Sequence, residues 1–110
     1  MKLLSYEING ETSWGAVKGE GVVDLGDLHP NLMHAIEGDP DTIGKAIEER
    51  EANYRLGDIA FLPPLGAPGK IFCVGVNYRN RNAEYKDGSD EPPYPSLFMR
   101  TPGSLTGHDQ

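Results

Sequence analysis

The chain has 110 residues, 37% of them apolar and 25% charged, and a formal charge of −7. This composition fits a globular chain and excludes a disordered one, and the acidic balance excludes a nucleic-acid binder, because neutralising phosphates needs clustered cations. A single cysteine leaves no internal disulfide and fits a reducing compartment. The opening "MKLLSYEING" loses its apolar run at Ser5, Tyr6 and Glu7, so it is no signal peptide. No later run is long enough to span a bilayer, and the expectation is a cytoplasmic protein without a membrane partner.

Leu4, Tyr6 and Ile8 alternate with polar residues as a half-buried strand does. Asn9-Gly10 is the preferred type I′ hairpin dipeptide, since both central residues need positive φ. "ETSWGAVKG" returns as a second strand, and "GEG" at 19–21 turns into a third, "VVDL". A three-stranded meander over residues 2–25 follows, with Trp14 as its main packing anchor. The period then becomes helical. Pro30 suits a first helical position, Leu32, Ala35 and Ile36 form one face, and Gly38 ends the turn. A second helix is expected from N-cap Asp39 and Pro40 to about Ala52, with Ile43, Ala46 and Ile47 inside. Glu48, Glu49 and Glu51 read as its solvated face rather than a metal site.

A short apolar strand, Ile59 to Leu62, leads into a Pro/Gly-rich stretch at 63–69, the best candidate boundary. The predicted division is a small α+β domain over 1–66 and the beginning of a second, incomplete domain over 67–110. The second opens with the strand "KIFCVGV", read as buried, and continues through a polar segment and the loop "KDGSDEPPYP" to a strand "SLFMR". Cys73, in mid-strand with no His beside it, reads as a small buried hydrophobe rather than a nucleophile. Gly75 alone makes no dinucleotide fingerprint. His29, His34 and His108 have no zinc spacing with Cys73.

The polar segment is different. On a short helix, positions 77, 81 and 84 share a face, so Asn77, Arg81 and Glu84 would project together from the end of a strand. Spacing alone leaves two readings open: a surface Arg–Glu pair worth a few tenths of a kcal/mol, or a site. The lack of any apolar face on this helix fits a cover that opens and closes.

"PPLGAPGKIFCVGVNYRNRNAEY" resembles the entry to the catalytic domain of the fumarylacetoacetate hydrolase family, which reads "GKI-apolar-C-apolar-G-x-NYxxHxxE". "YPSLFMRTPGSLTGH" is similar to that family's "LFxKxPSSLxG" strand and loop. The "WGAV" of the meander is similar to the small N-terminal domain of many bacterial members. The similarity spans nearly the whole chain and is strongest at 69–78 and 95–107.

The resemblance implies a mixed β-roll whose first strands and lid helix lie here. It implies Mg²⁺ or Mn²⁺ for the full-length protein, held by an E-x-E pair and a later Asp expected beyond Gln110, with no metal bound by this segment alone. The pair Glu49 and Glu51 belongs to the predicted second helix and is not that metal pair. The family's small-molecule partners are ketoacids and diketoacids, which it hydrolyses at a C–C bond, decarboxylates, hydrates or isomerises, and its members are homodimers. Carried over by position, Glu84 matches the catalytic Glu, Asn77 and Tyr78 match the "NY", Arg81 stands where the family has His, and Arg100 where it has Lys. Catalytic roles fall to Glu84 and Arg81, and substrate binding to Asn77, Tyr78 and Arg100. A His near its ordinary pKa of about 6.5 takes and returns a proton, and Arg, protonated to above about 12, does not. Arg81 is therefore expected to orient Glu84 or clamp a carboxylate. Val76 also replaces an Arg found in some members acting on short ketoacids. The alternative reading is a non-catalytic interaction module or an inactive fragment, favoured by Arg81 in place of His.

Overall fold

The alternation at the amino terminus produces β1 (Leu3–Ile8), with Leu4 and Tyr6 buried and Glu7 exposed. The structure, a computed structural model, describes residues 1–75 and 94–110. Asn9 (φ 54°) and Gly10 (φ 82°) both take the positive φ of a type I′ turn. They return the chain as β2 (Glu11–Lys18), which sets Leu3 opposite Ala16 and Ile8 opposite Glu11. A second turn leads to β3 (Gly21–Asp24), completing the expected meander. Two further short strands, β4 (Tyr54–Arg55) and β5 (Ala60–Leu62), extend it at its two edges. The antiparallel sheet has the order β4-β3-β2-β1-β5.

Between β3 and β4 lie α1 (Leu32–Ile36) and α2 (Pro40–Glu49). Asn31, not Pro30, begins α1: its side chain accepts from the His34 amide at 3.1 Å. Five residues present only Leu32 and Ala35 to the core, so Ile36, expected on the inner face, stands 63% exposed. Asp39 caps α2 through the Asp41 amide and the Thr42 hydroxyl, which also holds its carboxyl below the usual range, the Thr42 bond being the larger cause. Pro40 follows at the first position. The helix stops at Glu49 rather than near Ala52, because tertiary partners take its end. Lys18 Nζ donates to the carbonyls of Glu48 (3.1 Å) and Arg50 (2.6 Å), a cation where the helix dipole favours one. Arg50, in extended backbone, forks onto Asp27 at 2.6 and 2.9 Å.

The sheet buries side chains on both faces. On one, Trp14, Ala16, Val23 and Leu25 pack with Leu32 and Ala35 of α1 and Ile43 and Ala46 of α2. Trp14 is the anchor there, 1% exposed, and its indole N–H donates to the His29 carbonyl at 2.7 Å. That bond is what lets so large a polar-tipped ring be buried. On the other face Leu4, Tyr6 and Val22 pack with Tyr54, Leu56, Ile59 and Phe61. The last four come from the connection and edge strands that close this second core.

The described chain divides into two compact units: Met1–Gly66 with Leu105–Gln110, and Ala67–Ser104. In the second, β6 (Ile71–Val74) pairs antiparallel with β7 (Leu97–Arg100). The apolar strand expected to be buried is not. Phe72 and Val74 face the same side as their partners Met99 and Leu97, and all four are 51–67% exposed. Cys73 is half-buried rather than buried. Two strands alone leave the Phe72 and Val74 face uncovered and the other face only half-buried along β6, and such a ribbon is marginal by itself. The chain is thus α+β, an antiparallel sheet with two helices and a separate ribbon. Among the described residues no helix is long and apolar enough to cross a membrane.

Candidate functional site

Of the five residues singled out by sequence, Asn77, Tyr78, Arg81 and Glu84 lie outside the described residues. Arg100 ends β7, opposite Ile71, and is exposed. Its guanidinium sits 5.4 Å from the centroid of the Phe98 ring, two residues back on the same face, a cation–π contact of modest strength at an exposed position. At the other end of the ribbon the Gly75 amide donates to the Ser96 carbonyl at 2.7 Å. The connection that carries the other four residues therefore leaves and rejoins the ribbon at one hydrogen-bonded pair. Arg100 lies four residues on from Ser96, about 13 Å along the ribbon.

The densest polar network among the described residues lies in the first unit, and the sequence reading missed it. Tyr6 reaches from β1 across β2 to β3, where its hydroxyl donates to one carboxylate oxygen of Asp24. The other oxygen accepts from the Gly26 amide at 2.7 Å and the Ser13 hydroxyl at 3.3 Å. The Asp24 amide donates to Asn53 Oδ1 at 2.8 Å, and its carbonyl accepts from Arg50 at 3.2 Å. Arg50 in turn holds the Asp27 carboxyl below its usual range, mainly by hydrogen bonding, and Asp27 raises Arg50. The signal was available: a tyrosine at an alternating core position must find a partner for its hydroxyl. Both Asp24 oxygens are occupied by donors, so the network is a brace across three strands rather than a reacting centre.

Burial first, and the Asp24 carboxylate second, push the Tyr6 phenol well above its ordinary pKa. The folded state therefore keeps its proton where the unfolded chain loses it. Stability from this group is complete below pH 10 and falls as pH rises beyond it, by about 1.4 kcal/mol per pH unit. Urea unfolding followed from pH 8 to 11.5 should show that slope, and Tyr6→Phe should remove it while lowering neutral stability by about 1–3 kcal/mol. A wild-type curve flat to pH 11.5 contradicts the assignment.

A cleft of ≈ 310 Å³ in the first unit is lined by Ser5, Thr12, Ser13, Trp14, Asn31 and Leu62, among others, with no charged group. No buried side-chain polar atom lacks a partner among the described residues, so nothing in this cleft demands a ligand. No group of three His, Cys, Asp or Glu that could hold a metal ion occurs among the described residues either.

No family model matches the chain. It is similar to an enzyme, the oxaloacetate tautomerase YisK of Bacillus subtilis (strain 168), 36% identical over 56 residues that make up 50% of this chain and 19% of that protein. It is also 31% identical, over 97% of its own length, to uncharacterized proteins of Staphylococcus aureus strains USA300 and NCTC 8325, of which it covers 43%. The chain thus spans less than half the length of the curated relatives it matches. The Staphylococcus alignments run over 132 positions, more than the 110 residues of this chain, so those proteins carry residues between the matched stretches that are missing here.

Proposed function

We propose that this chain is the N-terminal part of a fumarylacetoacetate hydrolase-family enzyme acting on a 2-ketoacid, with keto–enol tautomerisation of an oxaloacetate-like substrate as the leading reaction. The similarity to the Bacillus tautomerase carries the reading. The "NYRNRNAEY" segment supplies the groups, on a connection rooted at the Gly75–Ser96 pair.

Tautomerisation moves one proton from C3 of the ketoacid to the C2 oxygen. A single carboxylate can do both halves: Glu84 takes the C3 proton and, now a carboxylic acid, returns it to the oxygen. Arg81 stays protonated throughout. It binds a substrate carboxylate through its planar fork, or holds Glu84 in place. Arg100 supplies a second cation for a dicarboxylate, and Asn77 and Tyr78 position the segment. The divalent ion implied by the resemblance has its ligands, in a longer form of the protein, among residues other than those described. Homodimerism belongs to the same proposal.

The longer form, assayed on a panel of 2-ketoacids and diketoacids with Mg²⁺ or Mn²⁺, should turn over at least one, and EDTA should abolish that turnover. Failure on the whole panel would favour the second reading, an interaction module. The observation behind that reading is the exposed apolar face of Phe72, Val74, Leu97 and Met99, together with Arg81 where the family has a titrating His.

A further inference from the structure

The chain leaves its first unit at Gly66 and returns to it at Leu105. The returning segment lands on Phe61 of β5. Gly107 is buried, and a Cβ there would sit 2.7 Å from the Phe61 carbonyl carbon and nearer still to its oxygen. The next residue, His108, places its ring edge-on to the Phe61 ring, with centroids 5.2 Å apart and planes at 88°. Thr106 Oγ1 reaches the Gln110 carbonyl at 3.4 Å, folding the segment on itself.

This landing place is a short edge strand of the sheet. β5 has three residues and, among the described residues, lies at the edge and pairs only with β1. An uncovered edge exposes unpaired backbone groups and frays, and proteins protect such edges by laying a loop over them. We infer that Leu105–Gln110 is a clasp that holds β5 on the sheet, and that Gly107 is its seat because only a residue without Cβ can approach the Phe61 carbonyl so closely. The first unit is then completed by two pieces of chain, and the ribbon unit is inserted between them. Closing so long an insertion costs entropy, so the clasp persists only if its contacts with Phe61 are favourable.

Amide hydrogen exchange on the 110-residue chain tests this. Gly107→Val should raise exchange at Phe61, Leu62 and the 107–110 amides by about tenfold or more, with β2 and β3 unchanged. Gly103→Val, at a glycine with open space around it, should leave all of these as in the wild type. If Gly107→Val unfolds the whole unit, His108→Ala decides instead. It removes the ring contact without a clash, and a roughly threefold rise confined to the same amides is expected. Wild-type exchange at Phe61 and Leu62 in a folded Gly107→Val, or in His108→Ala, overturns the clasp.

Discussion

Glu84→Gln is expected to lower kcat of the longer enzyme by about 10²- to 10⁴-fold on any 2-ketoacid it turns over, the range general acid–base groups contribute. The amide keeps the shape and the hydrogen-bonding reach of the carboxylate but cannot accept and return a proton, so KM should move little. Arg81→Lys should show the opposite split. Lysine keeps the charge and loses the two-pronged fork, so substrate affinity suffers first and kcat less. The pair of variants separates the two roles by steady-state kinetics. Unchanged turnover in Glu84→Gln removes the carboxylate from the reaction.

Gly15→Ala should lower folding stability by about 3 kcal/mol, a drop in Tm on the order of 15 °C for a domain of this size. Gly15 is buried in the central strand, opposite Asp24 on one side and Leu4 on the other. A methyl group there would lie 3.1 Å from the Val23 carbonyl carbon, overlap its oxygen, and come within 3.3 Å of a Val22 methyl. The backbone of β3 cannot yield without breaking the ladder that carries Asp24 and the Tyr6 brace. The same substitution at Gly44 in α2, where no neighbour lies within 4 Å, should instead stabilise by up to about 1 kcal/mol through helix propensity. Thermal unfolding of both variants checks opposite signs for one chemical change.

The meander was legible because each of its signals is local: alternation at Leu4, Tyr6 and Ile8, and a dipeptide that only positive φ satisfies. The helix start at Asp39 was legible for the same reason. What failed was decided by distant partners. Arg50, Glu51 and Ala52 are acceptable helix residues, and the helix ends before them because Arg50 is drawn onto Asp27 and Lys18 takes the Glu48 and Arg50 carbonyls. β4 is two residues long, too short to show any period. The apolar run at Ile71–Val74 announces a strand correctly, but a run of apolar residues says only that something covers it, not which residues do, and pairing within the ribbon leaves Phe72, Val74, Leu97, Phe98 and Met99 exposed. The brace from Tyr6 to Asp24 joins residues 18 apart across an intervening strand, and no local pattern encodes that crossing. The candidate site was read from the spacing of Asn77, Arg81 and Glu84 and from resemblance, and among its members only Arg100 lies within the described residues.

The central claim is that the Glu84 carboxylate moves a proton at carbon, and this can be watched directly in D₂O. With Mg²⁺ present, the longer enzyme should load deuterium at C3 of a 2-ketoacid substrate much faster than solvent does, followed by NMR. Glu84→Gln should fall back to the solvent rate, while Arg81→Lys retains exchange at saturating substrate. Deuterium uptake in Glu84→Gln at the wild-type rate would contradict the account.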